Sequence, residues 1–240
     1  MNFNKYRPQL LLLLITFLSS ALIWFTFYKN IPQILGFPSV TLETVFANYD
    51  GPNYMIIAKC GYDKDCISTN FSLPLPLEYY PAHLPGFPLL IKYFSFYTTT
   101  PKGMLLSTLF GSLLFTLTSY YFYKLFFRPK LAFWITFISI FFPARLFVLR
   151  LVGAPETWFL SFILLSIIFF KKKKFLVSAV FAAFSQILKS PGILLFFVYF
   201  IIATLDYLKT KKINYLYLFY LLVPASALVI FYSYYLQTGD

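Results

Sequence analysis

Eight acidic residues and one histidine are all that a chain of 240 residues offers for general acid–base work, so each one stands out. Asp50 lies in "ANYDGPNY", after an apolar run and directly before Gly51-Pro52. A carboxylate within hydrogen-bond reach can take the proton of a hydroxyl nucleophile, and a Gly-Pro turn would hold it in place. An aspartate just before a helix with proline in its first turn also fits a helix cap, and both readings stay open. A second cluster occupies "LEYYPAHLPGFPLLIKYF", where Glu78, Tyr80 and His83 sit among Pro81, Pro85 and Pro88. Those prolines forbid a regular helix. A lone histidine serves as a structural hydrogen-bonding group or as a ligand, and no second one exists here to complete a common metal site. Arg145, Arg150 and Lys189 are the cations suited to phosphate oxygens; the two arginines equally suit snorkelling to headgroups. Glu156 follows Pro155 at the start of an apolar stretch, where an acid also complements a helix dipole.

Cys60 and Cys66, with five residues between them, are the only cysteines. They could close a small disulfide loop in an oxidising compartment, and two cysteines alone make no zinc site. Asp63-Lys64-Asp65 has the look of an Asp-x-Asp metal motif, but a solvated turn is favoured and no metal ligand is assigned. Asn70-Phe71-Ser72 fits a glycosylation sequon.

The elements that must position these groups are written in the composition. The chain is 60% hydrophobic, 23% aromatic and 12% charged, too apolar for a soluble domain of this size. Runs long enough to cross about 30 Å of hydrocarbon make it an all-α polytopic membrane protein. The long uninterrupted runs exclude the alternation of a β-barrel. Seven spans are expected: 9–28, 103–123, 131–149, 156–170, 175–188, 192–208 and 214–236, all in one transmembrane domain over 1–240. The first run is longer than a signal-peptide core and continues through Trp24 and Phe25, so it is expected to stay uncleaved after Lys5 and Arg7. The spans from Glu156 and Phe175 are short for a full crossing and suit broken helices.

Residues 30–102 form the long first outer loop, with two short interfacial helices expected between Thr41 and Lys59 that meet at Gly51-Pro52. The turns at Lys124–Lys130, Lys171–Lys174 and Lys209–Lys212 are basic and short, which sets them on the cytoplasmic side. The acids Glu43, Asp50, Asp63, Asp65, Glu78, Glu156 and Asp240 then fall outside, with Arg145, Arg150 and Lys189. Cations kept against the topological bias are better candidates for function than the inner lysines. The net charge of +12 is accounted for by these turns, which excludes a nucleic-acid partner. Abundant Phe, Tyr, Ile, Lys and Asn favour an AT-rich genome and a prokaryotic plasma membrane.

"NYDGPNYMIIAKCGY" followed by "YYPAHLPGFPLLI" resembles the first outer loop of the GT-C superfamily of integral-membrane glycosyltransferases. The nearest branch is the GPI mannosyltransferase II-like group with its prokaryotic relatives. Asp50, Tyr54, Ile57, Ala58, Gly61 and Tyr62 match that group by position, and Tyr80, Pro81, Pro85 and Pro88 more loosely. "GAPETWFLSF" with Glu156, "LKSPGILL" with Lys189, and "YYLQTGD" resemble later signatures. Tyr49 stands where the group usually has Trp, and Lys189 where it often has Arg. The resemblance covers nearly all of this chain but only part of a typical enzyme, so the chain is expected to be incomplete at its C-terminus.

The resemblance implies transfer of a mannose-like hexose from a polyprenyl-phosphate donor to a lipid or glycan acceptor hydroxyl on the extracytoplasmic face. Asp50 would be the base, and Lys189, Arg145 and Arg150 would bind the donor phosphate. Tyr54, Glu78, Tyr80, His83 and Glu156 would contact the acceptor or support the site. No cofactor is firmly implied; some relatives use a divalent cation, for which Asp63 and Asp65 lack convincing partners. A transporter or flippase for a lipid-linked substrate is the alternative, though internal repeats and mid-span ionisable groups are not evident. A noncatalytic membrane subunit is the other.

Overall fold

The computed structural model describes residues 3–72 and 75–239, with side chains from Tyr6 onward. Asp240 and the Lys5 side chain, both used in the sequence reading, lie outside the described residues. Among those residues the chain is helical with no strand.

Helix α1, Phe3–Tyr28, is stopped by Asn30 in a left-handed conformation, φ 48°. The short helix α2, Ile31–Ile34, follows with Pro32 in its first turn. Helix α3, Leu42–Phe46, starts at a capping box: the Thr41 hydroxyl accepts from Glu43 N at 3.2 Å and Thr44 Oγ1 accepts from Thr41 N at 3.4 Å. Helix α4 is Gly51–Cys60, and α5, Lys64–Asn70, is capped by Asp63, whose Oδ1 accepts from Asp65 N and Cys66 N at 2.9 and 3.0 Å. Asp63 is thereby used as a cap. A 3₁₀ turn, Leu77–Ala82, precedes α6, Gly86–Ser95, and α7, Thr100–Tyr123. Contrary to the expectation for the proline-rich stretch, its second half is a regular helix, because Pro88 falls in the first turn of α6, where no intrahelical N–H is needed.

Helix α8, Pro129–Phe141, is followed by α9, Ala144–Leu149. The span expected over 131–149 is thus two helices, because Phe142 is extended (φ −126°, ψ 143°) ahead of Pro143, as a residue before proline prefers. Helices α10, Glu156–Lys171, and α11, Phe175–Leu188, meet at the lysine turn. A 3₁₀ turn, Ser190–Ile193, runs into α12, Leu194–Thr210; another, Tyr215–Leu221, runs into α13, Leu222–Thr238.

Four helical stretches are long and apolar enough to cross a bilayer: Tyr6–Tyr28, Thr100–Tyr123, Ser190–Thr210 and Tyr215–Thr238. That is the mark of an integral membrane protein. The other three expected spans are helices of 13, 16 and 14 residues, shorter than a bilayer crossing requires.

The chain divides into two compact units, Met1–Lys59 with Pro88–Trp158, and Cys60–Phe87 with Phe159–Asp240. In unit 1, α7 packs against both α1 and α8. Two-thirds of its apolar window is buried (67%, against 17% for Tyr6–Tyr28), which makes it the interior helix. Leu12, Tyr120, Ala132 and Ile140 form one core, and Val45, Leu105, Leu149, Val152 and Ala154 another. Small residues let helices touch: a Cβ on Gly111 would meet Thr157 Oγ1 and Trp158 Cδ1 at 2.6 Å. In unit 2, α11 packs against α13 and both neighbouring 3₁₀ turns, around Ala179, Ala182, Leu195, Tyr199, Tyr220 and Val223.

Candidate functional site

Unit 1 is organised around a piece of irregular backbone. Leu151, Val152, Gly153, Ala154 and Pro155, between α9 and α10, are all buried. Non-helical backbone inside an apolar bundle must find hydrogen-bond partners or lose several kcal/mol per group. Here three successive carbonyls are met by side chains: Arg150 O accepts from Ser112 Oγ at 3.4 Å, Leu151 O from Trp24 Nε1 at 2.8 Å, and Val152 O from Thr108 Oγ1 at 3.0 Å. Trp158 Nε1 donates to Ser107 O at 2.8 Å and ties the first turn of α10 to α7.

This segment carries the acid-bearing turn on its back. A Cβ built on Gly153 would lie 3.0 Å from Gly51 Cα and collide with the Met104 side chain, so two glycine backbones pass with no room for a side chain. Gly51 is closed on its other side, where a Cβ would meet Phe46 O at 2.6 Å. Asp50 therefore stands, exposed, on a turn pinned between α3, α7 and the Gly153 segment. Its carbonyl starts α4 by accepting from Tyr54 N at 3.0 Å. Tyr54 is buried (7% exposed), and half-buried Glu156 opens α10 three residues after Gly153. Within unit 1, the backbone next to Asp50 thus lies against a segment that runs on to Glu156 three residues later.

The two arginines have different fates. Arg150 is fully buried; its guanidinium donates to Ile140 O and, at 3.5 Å, to Thr16 O, and lies 5.9 Å from the Phe147 ring. Ile140 is in the last turn of α8, so Arg150 caps that helix end and ties it to α1. It does not snorkel, and two fork nitrogens are taken. Arg145 on α9 is exposed and makes no ion pair among the described residues.

Unit 2 holds the other candidates. Cys60 and Cys66 form a disulfide. Gly61 follows with φ +62°, and Tyr62 turns inward: its hydroxyl donates to His83 O at 2.7 Å and accepts from Tyr234 Oη at 3.2 Å. Tyr62 N donates to Gln237 Oε1 at 3.1 Å. His83 is buried, its ring 5.1 Å from that of Tyr79. A Cβ on Gly86 would meet Ile187 O at 2.7 Å, which brings the proline-rich segment onto the end of α11, two residues before Lys189. Lys189 is half-buried and extended, with φ −149°. Tyr80 is 2% exposed, and burial raises its phenol pKa. Glu78, its side chain 70% exposed, pairs with Lys64 at 3.6 Å, the geometry of a surface ion pair.

Among the described residues no group of three or more His, Cys, Asp or Glu could hold a metal ion. Sequence reasoning missed Trp24, Thr108, Ser112 and Gly153. The serines and threonines at 108, 112, 116 and 119 were a usable signal, since helical spacing puts them on one stripe of an otherwise apolar run. Trp24 carried no signal of its own.

The fold and these groups define an all-helical integral membrane protein whose interior polar side chains brace an acid-bearing turn. No family model, curated protein or solved structure matches the chain.

Proposed function

We propose that the protein transfers a sugar from a polyprenyl-phosphate donor to an acceptor hydroxyl, with Asp50 as the base. The observation that carries this is the Gly51–Gly153 approach, which pins an exposed carboxylate on a rigid turn beside the segment leading to Glu156. A base gains from such fixed geometry because proton transfer needs it within hydrogen-bond reach of the hydroxyl. Asp50 accepts the acceptor proton as the new bond to the anomeric carbon forms. The bond from that carbon to the phosphate oxygen breaks, the polyprenyl phosphate departs, and Asp50 later returns its proton to water.

The leaving phosphate needs cations. Arg145, in the same unit as Asp50, has an unengaged fork for that role; Lys189, in unit 2, is assigned it by the loop resemblance alone. Arg150, with its guanidinium bonded inside unit 1, acts by holding α8 and α1 around the segment. The donor sugar as a mannose-like hexose and the extracytoplasmic placement of the site belong to this same reading and rest on the loop resemblance and the charge pattern.

The test is transfer from a radiolabelled polyprenyl-phosphate hexose in membranes containing the chain. Asp50→Asn should lower transfer by about 10²–10⁴-fold with expression and insertion unchanged. Equal transfer by the variant would remove Asp50 from the chemistry and turn attention to Glu78 and His83.

A further inference from the structure

Four residues other than glycine hold a positive φ among the described residues: Asn30, Tyr49, Lys173 and Lys211. Three of them stand just behind a helix, where left-handed backbone is a usual stop: Asn30 after α1, Lys173 after α10 and Lys211 after α12. Tyr49, at φ 50°, has no helix to end, since α3 is already closed by Ala47 in a right-handed conformation. For a bulky side chain such backbone is unfavourable, and it persists only where the surroundings over-determine it.

The turn imposes it. Gly51 N donates to Asn48 O at 3.2 Å, so Tyr49 and Asp50 are the two central residues of a four-residue turn. An aspartate tolerates left-handed backbone better than a tyrosine does, yet the strained position falls to the tyrosine. No bond within the unit accounts for this. Tyr49 is 52% exposed, and among the described residues it has neither a hydrogen bond nor a ring contact. The pinned turn therefore presents an aromatic ring and a carboxylate on adjacent residues, both exposed.

In sugar transfer the acceptor hydroxyl lies within hydrogen-bond reach of the base, and the anomeric carbon lies about 3–3.5 Å from that hydroxyl. The donor's pyranose ring is then beside Asp50 whichever acceptor is used. A pyranose has a face of C–H groups, which packs on an aromatic ring as a flat apolar surface. We infer that Tyr49 binds the transferred sugar, its ring against the C–H face of the donor pyranose while Asp50 acts on the acceptor hydroxyl. This rests on the sugar-transfer reading and adds to it the residue that recognises the donor's sugar.

The test uses membranes containing the full chain, with radiolabelled polyprenyl-phosphate mannose as donor and bare polyprenyl phosphate as competitor. Tyr49→Leu stays apolar and keeps the unfavourable backbone but has no ring. It should raise the donor KM about tenfold and leave the inhibition constant of polyprenyl phosphate unchanged, because that competitor carries no sugar. Tyr49→Phe and Tyr49→Trp should keep the wild-type KM. Tyr49→Gly should raise KM as Tyr49→Leu does while unfolding no earlier than wild type, which separates a missing ring from a damaged turn. The inference is overturned if Tyr49→Leu keeps the wild-type KM, as a mere interfacial anchor would allow. It is equally overturned if the inhibition constant rises with KM, since the ring would then hold the lipid, or if Tyr49→Phe behaves like Tyr49→Leu. Transfer that Asp50→Asn abolishes and Tyr49→Leu leaves intact overturns this inference alone. Absence of transfer by wild type overturns the sugar-transfer reading and this inference with it.

Discussion

Two buried polar networks, one in each unit, solve different problems with the same side-chain types. In unit 1, Ser112, Trp24 and Thr108 donate to the backbone of a non-helical segment, at Arg150, Leu151 and Val152 in turn. In unit 2, side chains mostly satisfy one another. Tyr220 Oη donates to Ser178 Oγ at 2.8 Å, Ser166 Oγ and Tyr199 Oη are 2.7 Å apart, and the Tyr199 and Tyr220 rings stack with centroids 4.0 Å apart. Ser178 Oγ closes the set by donating to Ser166 O at 2.7 Å. The second arrangement locks regular helices together. The first allows a loop to exist where only helices are ordinarily stable, and the loop braces the Asp50 turn. A polar group that serves irregular backbone is therefore tied to the site, whereas one that serves another helix is tied to stability.

The largest effect expected from this contrast is on the group that the loop braces: on the proposed function, Asp50→Asn should lower sugar transfer by about 10²–10⁴-fold without moving the unfolding midpoint. Gly153→Ala comes next. Its methyl group has no space against Gly51 and Met104, so an overpacking cost of about 1–3 kcal/mol is expected in detergent unfolding, with transfer reduced in the protein that still folds. Ser178→Ala sharpens the comparison from the other side. It removes hydrogen bonds to Ser166 and Tyr220, should cost about 1–2 kcal/mol of stability, and should leave the specific activity of the folded fraction unchanged. Thr108→Val should cost less stability, about 1 kcal/mol, yet lower activity several-fold because Val152 O loses its donor. Should Ser178→Ala reduce activity as much as Thr108→Val does, the division of labour between the networks would be wrong. The smallest effect is expected from Lys64→Gln, which breaks the exposed pair with Glu78 and should shift stability by less than about 0.5 kcal/mol.

Much of the helical architecture was legible in advance. The runs ending near Tyr28, Tyr123, Thr210 and Thr238 are helices because length and apolarity leave a chain in a bilayer few alternatives. The stretch 131–149 was not legible as two helices, since apolarity continues unbroken through Phe141-Phe142 and only Pro143 marks the change. For the site, Asp50 attracted notice as an acid at a Gly-Pro turn, Glu156 as an acid at the start of an apolar stretch, and Arg150 as a cation kept against the topological bias. Nothing in their spacing disclosed that Arg150 turns inward to helix carbonyls while Arg145, five residues earlier, stays exposed.

Composition and periodicity by themselves determined an all-α chain for the membrane, the basic turns, and a short list of chemically able residues, because those follow from transfer free energies summed along the sequence. Tertiary structure alone decided which of them meet. Contacts such as Gly51 with Gly153, or Trp24 with Leu151, join residues about a hundred positions apart, and they depend on shape at the level of a single missing Cβ. No local pattern in the sequence encodes such a contact, since its energy exists only once the helices have packed.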